Sequence, residues 1–286
     1  MSLKESQIRS IVGLLSDNDP DIVATMRNKL FEMGQEALQA VLVSTPEGSV
    51  ARREAERVQH LFRSPPIEQQ FRQILREDTG DINLEAGAFT LARYGYPDLD
   101  LPTYTMHVEH MAFDLNPRIA PDDHPIRMIR TLNHYLFQEQ KFKGAEDYTN
   151  RPDPDNSYLN RVLDRKIGLP IAISALYLIL AKHLELPIVG VGLPRHFMVK
   201  YIGPDEQEIF IDPFHNGRIF TRNECVEIAR HFYEGPQIDP SLLLPESTNQ
   251  EILMRMMYNL LTTYHALGNA KRVRGIQKLI RVIQKA

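Results

Sequence analysis

The longest uninterrupted apolar run in the chain, IGLPIAISALYLILA at 167–181, holds no charged residue. Fifteen helical residues reach about 22 Å at 1.5 Å each, short of a bilayer's roughly 30 Å hydrocarbon core. A helix apolar on every side has to be enclosed by other elements. Pro170 suits its first turn, where no amide hydrogen is needed. After Pro187 the period changes from helical to alternating. Ile188, Val189 and Val191 form one strand pattern, and Phe197, Val199 and Tyr201 a second. Gly203-Pro204-Asp205 makes a turn, Ile209, Phe210 and Ile211 a third strand, and Arg218, Ile219 and Phe220 a fourth. A buried helix followed by an antiparallel meander predicts an α+β fold and argues against βαβ units.

The segments on either side are helical by pattern. Ile8, Ile11, Val12, Leu14 and Leu15 share one helix face, and Ile22, Val23, Met26, Leu30 and Phe31 a second. Asp19-Pro20 supplies an N-cap and a first-turn proline between them. Gly34 breaks the second helix, and Ala37, Leu38, Val41 and Leu42 begin a third. This apolar helix, Asp/Pro turn, apolar helix and Gly resembles one HEAT-like repeat, with a weak continuation over 51–62. One copy is too few for a solenoid, so the reading is a helical cap. Further helices are predicted at 67–75, 84–93, 104–115, 126–139, 158–163 and 225–232, with a loop at 236–245. Two more lie in 250–284, split at Gly268-Asn269. The expected domains are a HEAT-like segment at 1–63, a central domain at 64–235 and a helix pair at 236–286.

At 286 residues and a formal charge of −4, nothing global draws the chain to nucleic acid or acidic membranes. One cysteine precludes an intrachain disulfide, and no apolar leader follows Met1, so the expected compartment is the cytoplasm.

Helix, then His196, then Asp212 is the order of a Cys-His-Asp triad, in which a thiolate at a helix N-terminus is served by a base and its orienter. The only cysteine, Cys225, falls after all three.

Three blocks carry a resemblance: Asp155-Asn156-Ser157-Tyr158-Leu159 continuing to Gly168-Leu169-Pro170 and Ser174; Gly190-Val191-Gly192-Leu193-Pro194-Arg195-His196-Phe197; and Ile211-Asp212-Pro213-Phe214. Together they resemble the transglutaminase-like superfamily, and within it the bacterial invasion-regulator-like branch. The resemblance covers about residues 84–220. Residues 259–280 are similar to a tetratricopeptide helix pair. It implies a papain-like α+β core with a helical N-terminal cap and a C-terminal helical hairpin. It also implies that His196 occupies the base position, Asp212 the orienting position and Pro170 the cysteine position. Arg195 stands where the branch usually has glycine, which implies crowding or added positive charge.

Proline offers no nucleophile. Ser174, one turn further in, is the nearest hydroxyl, and within an apolar run it is expected to bond a carbonyl of the preceding turn. The reading is therefore a non-catalytic binding or regulatory module. It keeps His196 and Asp212 as a triad remnant, with Arg195, Pro170, Asn156 and Tyr158 as binding residues. The alternative is a hydrolase or acyltransferase using Ser174, or a water activated by His196 and Asp212. No cofactor is expected. His215 joins His196 and Asp212 as a metal set in principle, but no fourth ligand is evident, so no metal is expected. His107 and His110 read as one helix face, and Cys225 as a half-buried thiol beside Glu224. Partners are expected to be proteins docking on the helical segments. No membrane contact is expected, and the basic helix at 271–285 reads as a solvated face, not a nucleic-acid surface.

Overall fold

The computed structural model describes residues 4–62, 65–77, 80–120, 122–204, 207–231 and 244–285. The expected domain boundaries at 63/64 and 235/236, Asp205 of the turn, and the expected loop as far as residue 243 lie outside them. The chain divides into two compact units, 1–70 with 92–100, and 71–91 with 101–286.

In the first unit, α1 (Glu5–Leu15), α2 (Pro20–Met33), α3 (Gln35–Ser44) and α4 (Val50–Leu61) enclose one core. The Asp19 carboxylate accepts from the Asp21 amide at the start of α2, and Ser49 Oγ accepts from the Arg52 amide in α4. Gly34, at φ 91°, lets the chain turn from α2 straight into α3. Leu15, Leu30, Leu38, Val41 and Val58 are buried together. Leu14 and Ile22, counted into the apolar faces by pattern, are exposed. Two helices, α5 (Ile67–Glu77) and α6 (Leu84–Gly95), have residues in both units.

The second unit continues with α7 (Leu101–Leu115) and α8 (Pro125–Asn133). A wider-wound turn, His134–Glu139, extends α8, so the helix expected at 126–139 changes its winding at its midpoint. Strand β1 (Lys143–Gly144), helix α9 (Leu159–Arg165) and strand β2 (Ile167–Gly168) follow, with β1 and β2 paired in parallel. Lys166 takes the left-handed conformation at φ 59° and ends α9. Leu169 is extended, its amide donating to the Asn156 carbonyl at 2.8 Å. That bond fixes where α10 (Pro170–His183) begins. All of α10 from Pro170 to Ala181 is buried, as its composition requires.

Strands β3 (Ile188–Leu193), β4 (His196–Ile202), β5 (Glu208–Asp212) and β6 (Arg218–Phe220) form the expected meander. Helix α11 (Arg222–His231) follows. Strand β7 (Glu246–Ser247) then adds to the far edge, giving the antiparallel order β6-β5-β4-β3-β7. Helices α12 (Asn249–Ala266) and α13 (Ala270–Ile283) close the unit as a hairpin, and α12 and α10 pack together. A capping box joins Thr248 and Glu251 at the start of α12. The fold is α+β, with a five-stranded antiparallel sheet against a buried helix.

Register decides which side chains meet. Val199 of β4 pairs with Ile211 of β5. Asp212 is one step beyond Ile211, so it shares a face with the β4 residues of opposite parity to Val199, among them His196. A one-residue slip would separate the two.

Candidate active site

His196 starts β4 and Asp212 ends β5. The Asp212 carboxylate is almost fully buried, and its Oδ2 lies 2.8 Å from His196 Nε2. His215, three residues on, places Nδ1 2.7 Å from the same Oδ2. The other oxygen, Oδ1, accepts from the Phe214 and His215 amides at 3.1 and 3.3 Å. Burial alone raises a carboxyl pKa. Here the bonds and charge of His196, then of His215, outweigh burial and hold Asp212 below its ordinary value. The buried group is therefore a carboxylate that orients both rings.

The Phe214 ring stands edge-on to His196 and His215, with centroids 5.9 and 5.1 Å apart. It approaches Gly144 so closely that a Cβ there would lie 2.7 Å from both the ring and the Phe214 carbonyl. Gly144 in β1 thus makes room for the wall beside His196.

His196 opens onto a cleft of about 240 Å³. Its lining includes Leu169, Pro170 and Ile171 at the start of α10, Arg195 and Phe197 of the β3–β4 hairpin, and Arg255, Asn259 and Thr262 of α12. Pro170 thus lies at the N-terminus of the buried helix and in the same cleft as His196. Arg195 is exposed, at φ 57°. Left-handed backbone favours glycine, so an arginine at this place carries strain.

Arg255 is a participant that sequence reasoning missed. Its Nη2 donates to the Leu193 and His196 carbonyls at 2.5 and 2.7 Å, and its guanidinium lies over the Phe197 ring at 5.4 Å. Burial lowers its pKa. This side chain ties α12 to the two ends of the hairpin turn that carries His196. A lone Arg among Leu253, Met256, Met257 and Leu260 was the only available signal.

Ser174 is fully buried and outside the cleft lining. Its hydroxyl donates to the Phe197 carbonyl at 3.4 Å, not to a carbonyl of the preceding turn as expected, because α10 packs directly on β4. Asn156 and Tyr158, expected among the binding residues, are also outside the cleft. Asn156 is buried and supplies the carbonyl that receives the Leu169 amide, and the Tyr158 hydroxyl meets that of Tyr264 at 2.8 Å. Asn156 thus frames the start of α10, and Tyr158 ties the start of α9 to α12.

Cys225 is fully buried instead of half-buried, packed with Val191, Leu193, Met198 and Phe210. Burial first, then the charges of Glu224 and Asp212, push its thiol up to about 12. A thiol so protonated is a poor nucleophile. His107 and His110 have no third ligand among the described residues, where His196, Asp212 and His215 are the only group of metal-ligating type.

A family model described as the transglutaminase-like superfamily matches residues 102–258, more than half of the chain. The chain belongs to the transglutaminase-like superfamily. This matched stretch contains the whole constellation of Pro170, Arg195, His196, Asp212 and Arg255. Among curated relatives, a UPF0162 protein of Xylella fastidiosa (strain Temecula1 / ATCC 700964) is 33% identical, the match covering 65% of this chain and 66% of the relative. F-box only protein 21 of Mus musculus is 30% identical over 54% of this chain and 24% of its own length. A UPF0162 protein of Vibrio cholerae is 24% identical over 51% and 53%. The chain thus spans just under two thirds of the Xylella relative it matches. No solved structure matches. No helix among the described residues of this transglutaminase-like chain is long and apolar enough to cross a membrane.

Proposed function

We propose that this transglutaminase-like chain is a non-catalytic binding module that retains the base and its orienter without a nucleophile. The observation that carries the reading is Pro170, which lines the same cleft as His196 at the start of α10. Acyl transfer through a covalent intermediate needs a thiol or hydroxyl at the base. The chain's one cysteine is buried and protonated, and Ser174 is committed to the Phe197 carbonyl. What the cleft offers is recognition chemistry: Arg195 and Arg255 as cations, Asn259 and Thr262 as polar groups, Leu169, Ile171 and Phe197 as apolar wall. A polypeptide segment with a polar or acidic side chain suits that lining.

In this reading the chain is of the invasion-regulator-like branch and works in the cytoplasm. The N-terminal helices (1–63) act as a HEAT-like segment and the C-terminal pair (236–286) as a tetratricopeptide-like hairpin, both docking protein partners around the domain at 64–235.

The test is selection of displayed peptides against the whole chain, repeated with Thr262→Trp, which puts bulk over the cleft from an exposed helix position. Peptides that bind the parent and lose at least tenfold in affinity on Thr262→Trp support the module. Binding that ignores the substitution counts against it.

A second reading has one observation in its favour. With Nε2 engaged by Asp212, His196 keeps Nδ1 for a water, as general-base hydrolysis would need. It predicts turnover that His196→Ala abolishes.

A further inference from the structure

We propose that His196, Asp212 and His215 together bind one divalent transition-metal ion, zinc being the best fit to the donors. The binding-module reading does not use His215, and this inference does not depend on that reading.

His196, Asp212 and His215 each offer one ligand atom, and the three atoms lie within 4.8 Å of one another. Two of the separations are 2.8 and 2.7 Å. Zinc holds imidazole nitrogen and carboxylate oxygen at about 2.0–2.2 Å, so tetrahedral ligands adjacent on one ion stand about 3.4 Å apart. Widening each of these two separations by about 0.6–0.7 Å, through small rotations of the rings and the carboxylate, would open the triangle around an ion. Two imidazoles and one carboxylate are a recurrent zinc donor set, with water in the fourth position. The side chain of His215 is 62% exposed, which leaves the fourth position access to solvent.

The surroundings are organised as metal ligands require. Ligating carboxylates are held from behind by hydrogen bonds. Here Asp212 Oδ1 accepts from two backbone amides, which keeps Oδ2 aimed at both rings. The short turn Pro213–His215 returns the His215 ring to the Asp212 side, and the Phe214 ring packs edge-on against both imidazoles. A dyad that only orients His196 has no need of a second ring on the same oxygen. The proton balance is simple. An ion taking Nε2 of His196 and Nδ1 of His215 needs each ring neutral with its proton on the opposite nitrogen, so a ring bearing both protons releases one to solvent on binding and a neutral ring moves its proton across. Asp212 is already a carboxylate.

The experiment is titration of the metal-stripped full chain with Co²⁺, followed by the visible absorption of a low-coordinate cobalt site, and by Zn²⁺ competition with bound metal counted per chain. One ion per chain is expected. His215→Ala, at an exposed position that should leave the fold intact, is expected to weaken binding tenfold or more, and His196→Gln likewise. His110→Ala is expected to leave binding unchanged. No stoichiometric binding, or equal affinity in His215→Ala, would overturn the site and leave a purely hydrogen-bonded His-Asp-His cluster.

Discussion

The Arg255 guanidinium donates to the main-chain carbonyl of His196 at 2.7 Å, so a residue of the C-terminal hairpin holds the backbone of His196. The same nitrogen reaches the Leu193 carbonyl, and the two bonds bracket the turn Leu193-Pro194-Arg195-His196. A cation bonded to carbonyls contributes more than a neutral donor, about 1.5–3 kcal/mol. Arg255→Leu is therefore expected to cost about 2–3 kcal/mol in urea unfolding. Lysine, with no planar fork, should recover less than half of it. A loss below about 0.5 kcal/mol, the scale of neutral surface changes, would show that the turn holds without this anchor.

Arg195 bears the strain of that turn. An L residue in the left-handed region costs about 1–2 kcal/mol, offset in part when glycine takes its place by the unfolded chain's added freedom. Arg195→Gly should leave the melting temperature unchanged or raised, and Arg195→Val should lower stability by about 1–2 kcal/mol, since β-branching aggravates positive φ. The opposite ranking by thermal melting would refute the account of this position.

Gly144→Ala tests the wall behind the histidines. A methyl group 2.7 Å from the Phe214 ring and carbonyl meets backbone as well as side chain. Overpacking of this kind costs about 1–3 kcal/mol. Displacement of Phe214 should also shift the NMR signals of the His196 and His215 rings. Unshifted ring signals would separate Gly144 from the site.

Lys200, buried in β4, is paired with Glu208 at 2.9 Å and Glu246 at 3.0 Å, and Glu208 also meets Arg222. Burial pulls Glu208 upward, but the bonds of Lys200 and Arg222 together bring it below its ordinary value of 4.5. A depressed folded pKa gives stability that is complete above the unfolded value and disappears as pH falls through the folded one. Burial pulls Lys200 down, while Glu208 and Glu246 bring it above 10.5, so its contribution is complete below 10.5 and lost as pH rises through the folded value. Glu208→Gln should destabilise at pH 7 by about 2–3 kcal/mol, as for a buried cation losing one of two partners. The difference from the parent should shrink as the acid limb is crossed. A pH-independent difference in urea midpoints would contradict the assignment.

Cys225 should resist alkylation in the native chain at pH 8, since its thiol sits near 12 and is fully buried. Labelling should appear only at the rate of unfolding. Fast stoichiometric labelling under native conditions would contradict this burial and make the cysteine a candidate nucleophile.

The reach of the sequence differed by element. Residues 167–181 announced a buried helix because no polar face was present, Phe197, Val199 and Tyr201 announced a strand by alternation, and Ile209, Phe210 and Ile211 announced the next as a short apolar run after a turn. The likeness to transglutaminase-like proteins brought His196, Asp212 and Pro170 to one place, and β-sheet parity explains why the first two meet. Strands β1, β2 and β7 have two residues each, too few to show a period. Ser174 was given the wrong acceptor because local helix rules ignore a strand packed against the helix. Arg255 was invisible because its partners are main-chain carbonyls 59 and 62 residues away, which carry no side-chain signature. His215 was seen, but only the structure sets its Nδ1 on the oxygen that already serves His196.

The most direct measurement of the central claim, binding without acyl transfer, is a mass-spectrometric turnover assay. The purified chain and its His196→Ala variant are incubated side by side with peptide, amide and ester substrates, with and without an amine acceptor. The account predicts the same background in both and no mass added to the protein by acylation. Product formed by the parent and lost in His196→Ala would contradict it.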